Sequence, residues 1–133
     1  MMQNKAFMLV DIMVVLAIIG ILAAIFVPSY QRHILQGYRL EASAELLRLS
    51  SLQSNMQAEH GRFSNDFREL GITQTDGFTE SGRYKLQVLL TQDGYQLLAD
   101  AIGPQEQDEE CRRFMLDHTG LKQSQPTQRC WGH

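Results

Sequence analysis

The sequence predicts an α+β fold. One long N-terminal α-helix has a first half apolar enough to cross a membrane, and an antiparallel β-sheet of about four strands packs on its second half. Three observations predict this. No charged side chain occurs from Ile12 to Gln31. Beyond Pro28, apolar residues recur at spacings of three and four as far as Met56. After Gly61 the pattern gives way to short segments rich in strand formers, separated by Gly, Asp and Thr. The first is long enough for a membrane-spanning helix, the second has the period of a helix, and the third has the composition of strands.

The chain has 133 residues, a net charge of −3 and 44% hydrophobic residues, a size that suits one head domain. The mildly acidic balance contains no global signal for nucleic acid. Much of the apolar content is concentrated between Phe7 and Val27. At about 1.5 Å per residue, the uncharged run is as long as a bilayer's hydrocarbon core is thick, roughly 30 Å. Lys5 precedes it and Arg32 and His33 follow. A secretory signal would have a shorter apolar core and small residues at both key cleavage positions. Here the pair Ala23-Ala24 has Leu22 at the −3 position. A buried core helix is disfavoured because the remaining chain is too small to wrap it.

A plain membrane anchor is the competing reading, and Asp11 argues against it. A carboxylate at membrane depth costs roughly 2.5–3.5 kcal/mol even on lenient insertion scales. An inert anchor has no use for that cost. The helix N-terminus offsets part of it. A cationic partner offsets more, and a free α-amine created just before Phe7 would provide one.

At this point the residues resemble a family. Ala6-Phe7-Met8-Leu9-Val10-Asp11-Ile12-Met13-Val14-Val15-Leu16-Ala17-Ile18-Ile19-Gly20, continuing through Pro28-Ser29-Tyr30, resembles the class III signal of type IV pilins and pseudopilins. The resemblance implies the type IV pilin fold. It implies that prepilin peptidase removes a leader of residues 1–6 by cutting between Ala6 and Phe7, and that the new Phe7 amine is methylated. Residues 7–31 are then the transmembrane and assembly helix, and residues 32–133 the periplasmic head with its C-terminal disulfide loop. Two positions depart from the family pattern. Ala6 stands where Gly is usual, and Asp11 stands where Glu is usual. In the family this carboxylate pairs with a neighbour's N-terminal amine during assembly. Gly20 and Pro28 bracket the segment that the resemblance implies loosens in a filament. Gly costs about 1 kcal/mol in a helix interior, and Pro removes a backbone bond.

The second half of the helix is read from its stripe Leu35, Tyr38, Ala42, Leu46, Leu49, Leu52 and Met56. Arg39, Glu41, Glu45 and Arg48 are assigned to the other side. Gly61 is placed as the C-cap. Residues 61–82 read as a surface connection with a short helical turn at Asn65–Leu70. Strands are expected at Arg83–Val88, Tyr95–Ala101, Arg113–Asp117 and Gln128–Trp131. Asp93-Gly94 makes the first hairpin, and a turn falls near Thr119-Gly120.

The cysteines are Cys111 and Cys130. In an exported small domain such a pair reads as a disulfide, and in the cytosol it would stay reduced. The tail adds a second resemblance. Cys111, Phe114-Met115-Leu116-Asp117, Thr119-Gly120-Leu121-Lys122 and Cys130-Trp131 resemble the C-terminal pattern of the E-type minor pilins. With the head exported, the two thiols are expected to be joined.

No catalytic residue, metal site or cofactor is read from the sequence. His33, His60, His118 and His133 have no metal-ligand spacing. No nucleophile motif or phosphate loop occurs. Glu106, Asp108, Glu109 and Glu110 lack the glycine and alternation of a calcium loop and read as a solvated turn. The expected function is a structural subunit, a minor pilin that helps initiate type IV pilus assembly. Its implied partners are the major pilin, other minor pilins, prepilin peptidase, the inner-membrane assembly platform and membrane lipid. The expected location is the inner membrane before assembly and the extracellular fibre after it. One alternative is a pseudopilin of a type II secretion system, although pseudopilin heads commonly lack such a cysteine pair. Another is a DNA-uptake pilin, for which Arg112, Arg113, Lys122 and Arg129 could form the basic stripe that nucleic acid requires, although the acidic Glu106 to Glu110 lie beside them.

Overall fold

The computed structural model describes residues 2–72 and 77–132. Helix α1 runs from Met2 to His60, and a four-stranded sheet follows. Two compact units divide the chain, residues 1–34 and 35–133.

The first unit is helix alone. From Phe7 to His33 every side chain is exposed, including Leu9, Val14, Ile18, Leu22 and Phe26. Mean hydropathy reaches 3.0 over its most apolar window, and none of that window is buried. This helix is long and apolar enough to cross a membrane. Pro28 sits inside it and offers no N–H to the Ala24 carbonyl.

In the second unit, α1 buries Ala42, Leu46 and Leu49 completely and Met56 nearly so. The helix ends where Gly61 takes φ +71°, with its N–H on the Gln57 carbonyl at 2.9 Å. Glycine suits this left-handed cap because it carries no Cβ. The strands are β1 (Tyr84–Leu90), β2 (Tyr95–Ala101), β3 (Cys111–Asp117) and β4 (Lys122–Pro126). They pair antiparallel in chain order, with Leu86 opposite Ala99 and Leu97 opposite Leu116. Tyr84, Leu86, Val88, Tyr95, Leu97, Ala99, Phe114 and Leu116 join the helix stripe in one core.

The first three strands fall where they were expected, within a few residues. The fourth does not. It occupies Lys122–Pro126, and residues 128–131 form a turn beyond it. Cys130 and Trp131 are half-buried or better without being in a strand, because they fold back onto β4. The Trp131 indole N–H donates to the Gln123 carbonyl at 2.6 Å, and its ring meets Phe114 edge-on at 5.6 Å.

The connection after the helix is more than surface. Leu70 and Ile72 are core residues, and Phe63 and Phe67 pack against that core. Gln53 holds the loop to the helix by accepting the Ser64 N–H at 3.0 Å and donating back to the Ser64 carbonyl. The predicted turn is present as a bond from the Leu70 N–H to the Asp66 carbonyl at 3.2 Å. Residues 73–76 of this segment lie outside the described residues.

The hairpin at Asp93-Gly94 forms as expected, with the Thr91 N–H on the Gly94 carbonyl. Gly94 is required there by close approach, since a Cβ on it would lie 2.4 Å from the His118 ring. At the β3–β4 turn, one Asp117 carboxylate oxygen accepts the Thr119 and Leu121 N–H groups, each at 2.9 Å.

Candidate functional site

The residues singled out from the sequence fall in two separate places. Phe7, Asp11, Gly20 and Pro28 lie on the apolar helix of the first unit, and all are exposed. Phe7 and Asp11 are four apart and so share one helix face. Among the described residues, the neighbours of Asp11 on that face, Met8, Val14 and Val15, are apolar and exposed. The peptide bond between Ala6 and Phe7 lies within the helix. A shallow apolar groove near Pro28 is lined by Phe26, Val27, Tyr30 and Ile34.

Cys111 and Cys130 lie in the second unit. They form a disulfide, with Cα atoms 5.7 Å apart, and both are buried. The bridge ties the start of β3 to the turn after β4 and closes a loop containing the whole β3–β4 hairpin. Of the basic residues near it, Arg112, Lys122 and Arg129 are exposed. Arg113 is taken up by Asp100 on the neighbouring strand. The Lys122 ammonium lies 5.7 Å from the centre of the Trp131 ring, within reach of its negative face.

A third group was not anticipated. Asp108 is 2% exposed and grips Arg39 through both carboxylate oxygens. The hydrogen bond to Asp108 raises the Arg39 guanidinium's pKa above its ordinary value. Asp108 also accepts the Cys111 N–H at 3.3 Å. Beside it, fully buried Gln105 donates to the Tyr84 hydroxyl at 3.1 Å and to the Leu35 carbonyl at 3.2 Å. Burial pushes the Tyr84 phenol up to about 12.

These contacts correct two expectations. Arg39 and Glu41 do not decorate the helix's free side. Arg39 reaches Asp108, and Glu41 accepts the Ser81 N–H at 2.9 Å. The segment Glu106–Glu110 is not uniformly solvated either. Gly103–Gln107 is a short 3-10 helix that turns Gln105 and Asp108 inward and leaves Glu106, Glu109 and Glu110 outside. A signal for Arg39 was present in the sequence. Positions 39, 46 and 53 are spaced by seven, as are 35, 42, 49 and 56, so Arg39 and Gln53 belong to the buried stripe itself.

An apolar helix fit for membrane anchoring, continued into a helix that carries a four-stranded meander, defines the class of type IV pilins. A solved type IV pilin from Shewanella oneidensis shares this fold, with a TM-score of 0.53 over 74% of this chain and 99% of that one at 22% identity. A fimbrial protein of Pseudomonas aeruginosa is 32% identical over an alignment 109 residues long that covers 77% of this chain and 71% of that protein. The type IV major pilin protein PilA of Myxococcus xanthus (strain DK1622) is 35% identical over 75 residues. The matched part is 56% of this chain and 34% of that relative's length. Residues 28–115 match the family described as type IV minor pilin ComP, DNA uptake sequence receptor, and the chain belongs to that family. It is a structural subunit of the type IV pilin kind.

Proposed function

We propose that the chain is a minor pilin that helps prime assembly of a type IV pilus. Prepilin peptidase cuts between Ala6 and Phe7, and the new amine of Phe7 becomes methylated. Residues 7–31 then hold the subunit in the inner membrane, with residues 32–133 in the periplasm, until it joins the fibre with the major pilin and other minor pilins. The family's description as a minor pilin supports the grade of subunit.

The observation that carries an assembling role is Asp11. A carboxylate set in an otherwise apolar, exposed helix face is costly in lipid. A neighbouring subunit's Phe7 amine offsets that cost, and leaving either charge unpaired in low dielectric is expensive. Asp11→Ala is therefore expected to leave cleavage and membrane insertion intact and to reduce piliation severalfold. Asp11→Glu is expected to support assembly at least as well as the parent, since it restores the usual reach. The measurement is piliation or twitching in a deletion strain complemented at native expression. Full piliation with Asp11→Ala would remove the assembly role from this residue.

A DNA-uptake pilin is the second reading, favoured by the family's description as a DNA uptake sequence receptor. Exposed Arg112, Lys122 and Arg129 around the disulfide loop suit phosphate contacts. Replacing all three with Gln should abolish DNA retention by the head and spare piliation if this reading holds.

A further inference from the structure

Residues 35–41 are the first two turns of α1 in the head unit, and their hold on the head differs from that of the turns that follow. Full burial of apolar helix side chains begins only at Ala42. Before it, Tyr38 packs against the edge of the apolar core, and the other holds are polar. Gln105 donates to the Leu35 carbonyl at 3.2 Å. The Arg83 guanidinium stacks 4.4 Å from the Tyr38 ring centre. Asp108 grips Arg39, and the Ser81 N–H caps Glu41 at 2.9 Å.

These contacts straddle Gly37. It is exposed, and a Cβ built on it would meet nothing within 4 Å. No close approach requires glycine at this position, and glycine weakens a helix by leaving the backbone freer to unfold. The turn containing Gly37 is closed by the bond from the Arg39 N–H to the Leu35 carbonyl. Gln105 holds that carbonyl, Asp108 holds the Arg39 side chain, and Gln105 and Asp108 are themselves 3.5 Å apart. Both ends of the turn across the weak residue are thus fixed by one short segment, Gln105–Asp108.

We propose that this segment is a clamp that keeps α1 helical across Gly37 and sets Leu35 as the point where loosening of the helix from its N-terminal side stops. The intended effect is local. Without the clamp, residues 35–41 open while the apolar turns from Ala42 onward stay closed. In an assembling subunit, this confines any loosening near Pro28 to residues before the head. That consequence rests on the reading given above; the clamp itself does not.

The test is amide hydrogen exchange on the full chain in detergent micelles, before any assembly. Asp108→Asn combined with Gln105→Leu is expected to speed exchange over residues 36–41 by tenfold or more and to change that over 46–56 less than twofold. Adding Gly37→Ala to that variant should slow the 36–41 amides again by about fivefold, the effect of replacing an interior helical glycine. Arg39→Lys keeps the charge but loses the two-pronged contact. It should speed the same amides by a smaller factor, and it keeps the test available if the double variant does not fold. Unchanged exchange over 36–41, equal acceleration over 46–56, or no slowing by Gly37→Ala would each overturn the clamp. None of these readouts depends on pilus formation, so their failure is distinguishable from failure of the assembly reading.

Discussion

Residues 7–34 and 35–60 are both helical, but different forces maintain them. In the first stretch Phe7 to His33 are all exposed, and no tertiary contact covers Val14, Ile18 or Leu22. In the second, Ala42, Leu46 and Leu49 have no exposed surface, because Leu86, Leu97 and Phe114 lie against their stripe. A helix that is apolar all round is suited to lipid or to other helices; one with an apolar stripe is suited to a sheet. The contrast teaches where sequence changes will be felt. In the first stretch they act on the membrane or a neighbouring subunit, and in the second they act on the stability of the head.

The sharpest way to break this comparison is a pair of truncations. Phe114 is fully buried between the rings of Tyr84 and Trp131. Phe114→Ala is expected to lower head stability by about 3–5 kcal/mol. Ile18→Ala should change it by less than about 0.5 kcal/mol, as surface substitutions do. Trp131 is the chain's single tryptophan, so its fluorescence during urea unfolding in micelles reports the head alone. Equal costs for the two truncations would show that the stretches are not energetically separate.

The disulfide sharpens the head's side of the contrast. Cys111 and Cys130 are 19 residues apart in sequence, and closing such a loop contributes about 3 kcal/mol in the chain-entropy model. Cys130→Ser should lower the urea midpoint accordingly, and reductant should move the parent to the same value. A parent and variant with identical midpoints would mean that the bridge does not constrain the unfolded head.

Alkaline pH gives a smaller effect confined to the head. Burial raises the Tyr84 pKa to about 12, above the ordinary phenol value of about 10. The folded state therefore holds this proton more tightly than the unfolded state. The stabilisation is fully present below pH 10 and is lost as pH rises from about 10 to about 12. A difference of two pKa units corresponds to at most about 2–3 kcal/mol. Tyr84→Phe should flatten this part of the pH profile. An unchanged slope would assign the loss to another group.

Local features account for what is legible in the sequence. Gly61, Gly94 and the alternation through Tyr84–Val88 and Tyr95–Ala101 each act within a few residues, and all lie where their chemistry placed them. The fourth strand was misplaced because Cys130 and Trp131 look like strand residues. Their burial comes from folding back on Gln123 and Phe114, which local pattern does not register. Leu70 and Ile72 were missed as core because a turn-rich composition resembles surface.

By itself, the sequence determined the apolar helix, its carboxylate at Asp11, the amphipathic continuation and the run of short strands, since helix and strand periods and membrane-scale length are properties of neighbouring residues. Tertiary structure alone decided the partners of the polar residues on the buried stripe. Arg39 meets Asp108 across 69 residues of chain, and Gln105 meets the Leu35 carbonyl across 70. A charged side chain on a helix favours solvent unless a specific partner is brought to it, because burying an unpaired charge is costly. That partner arrives only when the segment between β2 and β3 folds over the helix, a geometry set by the whole sheet.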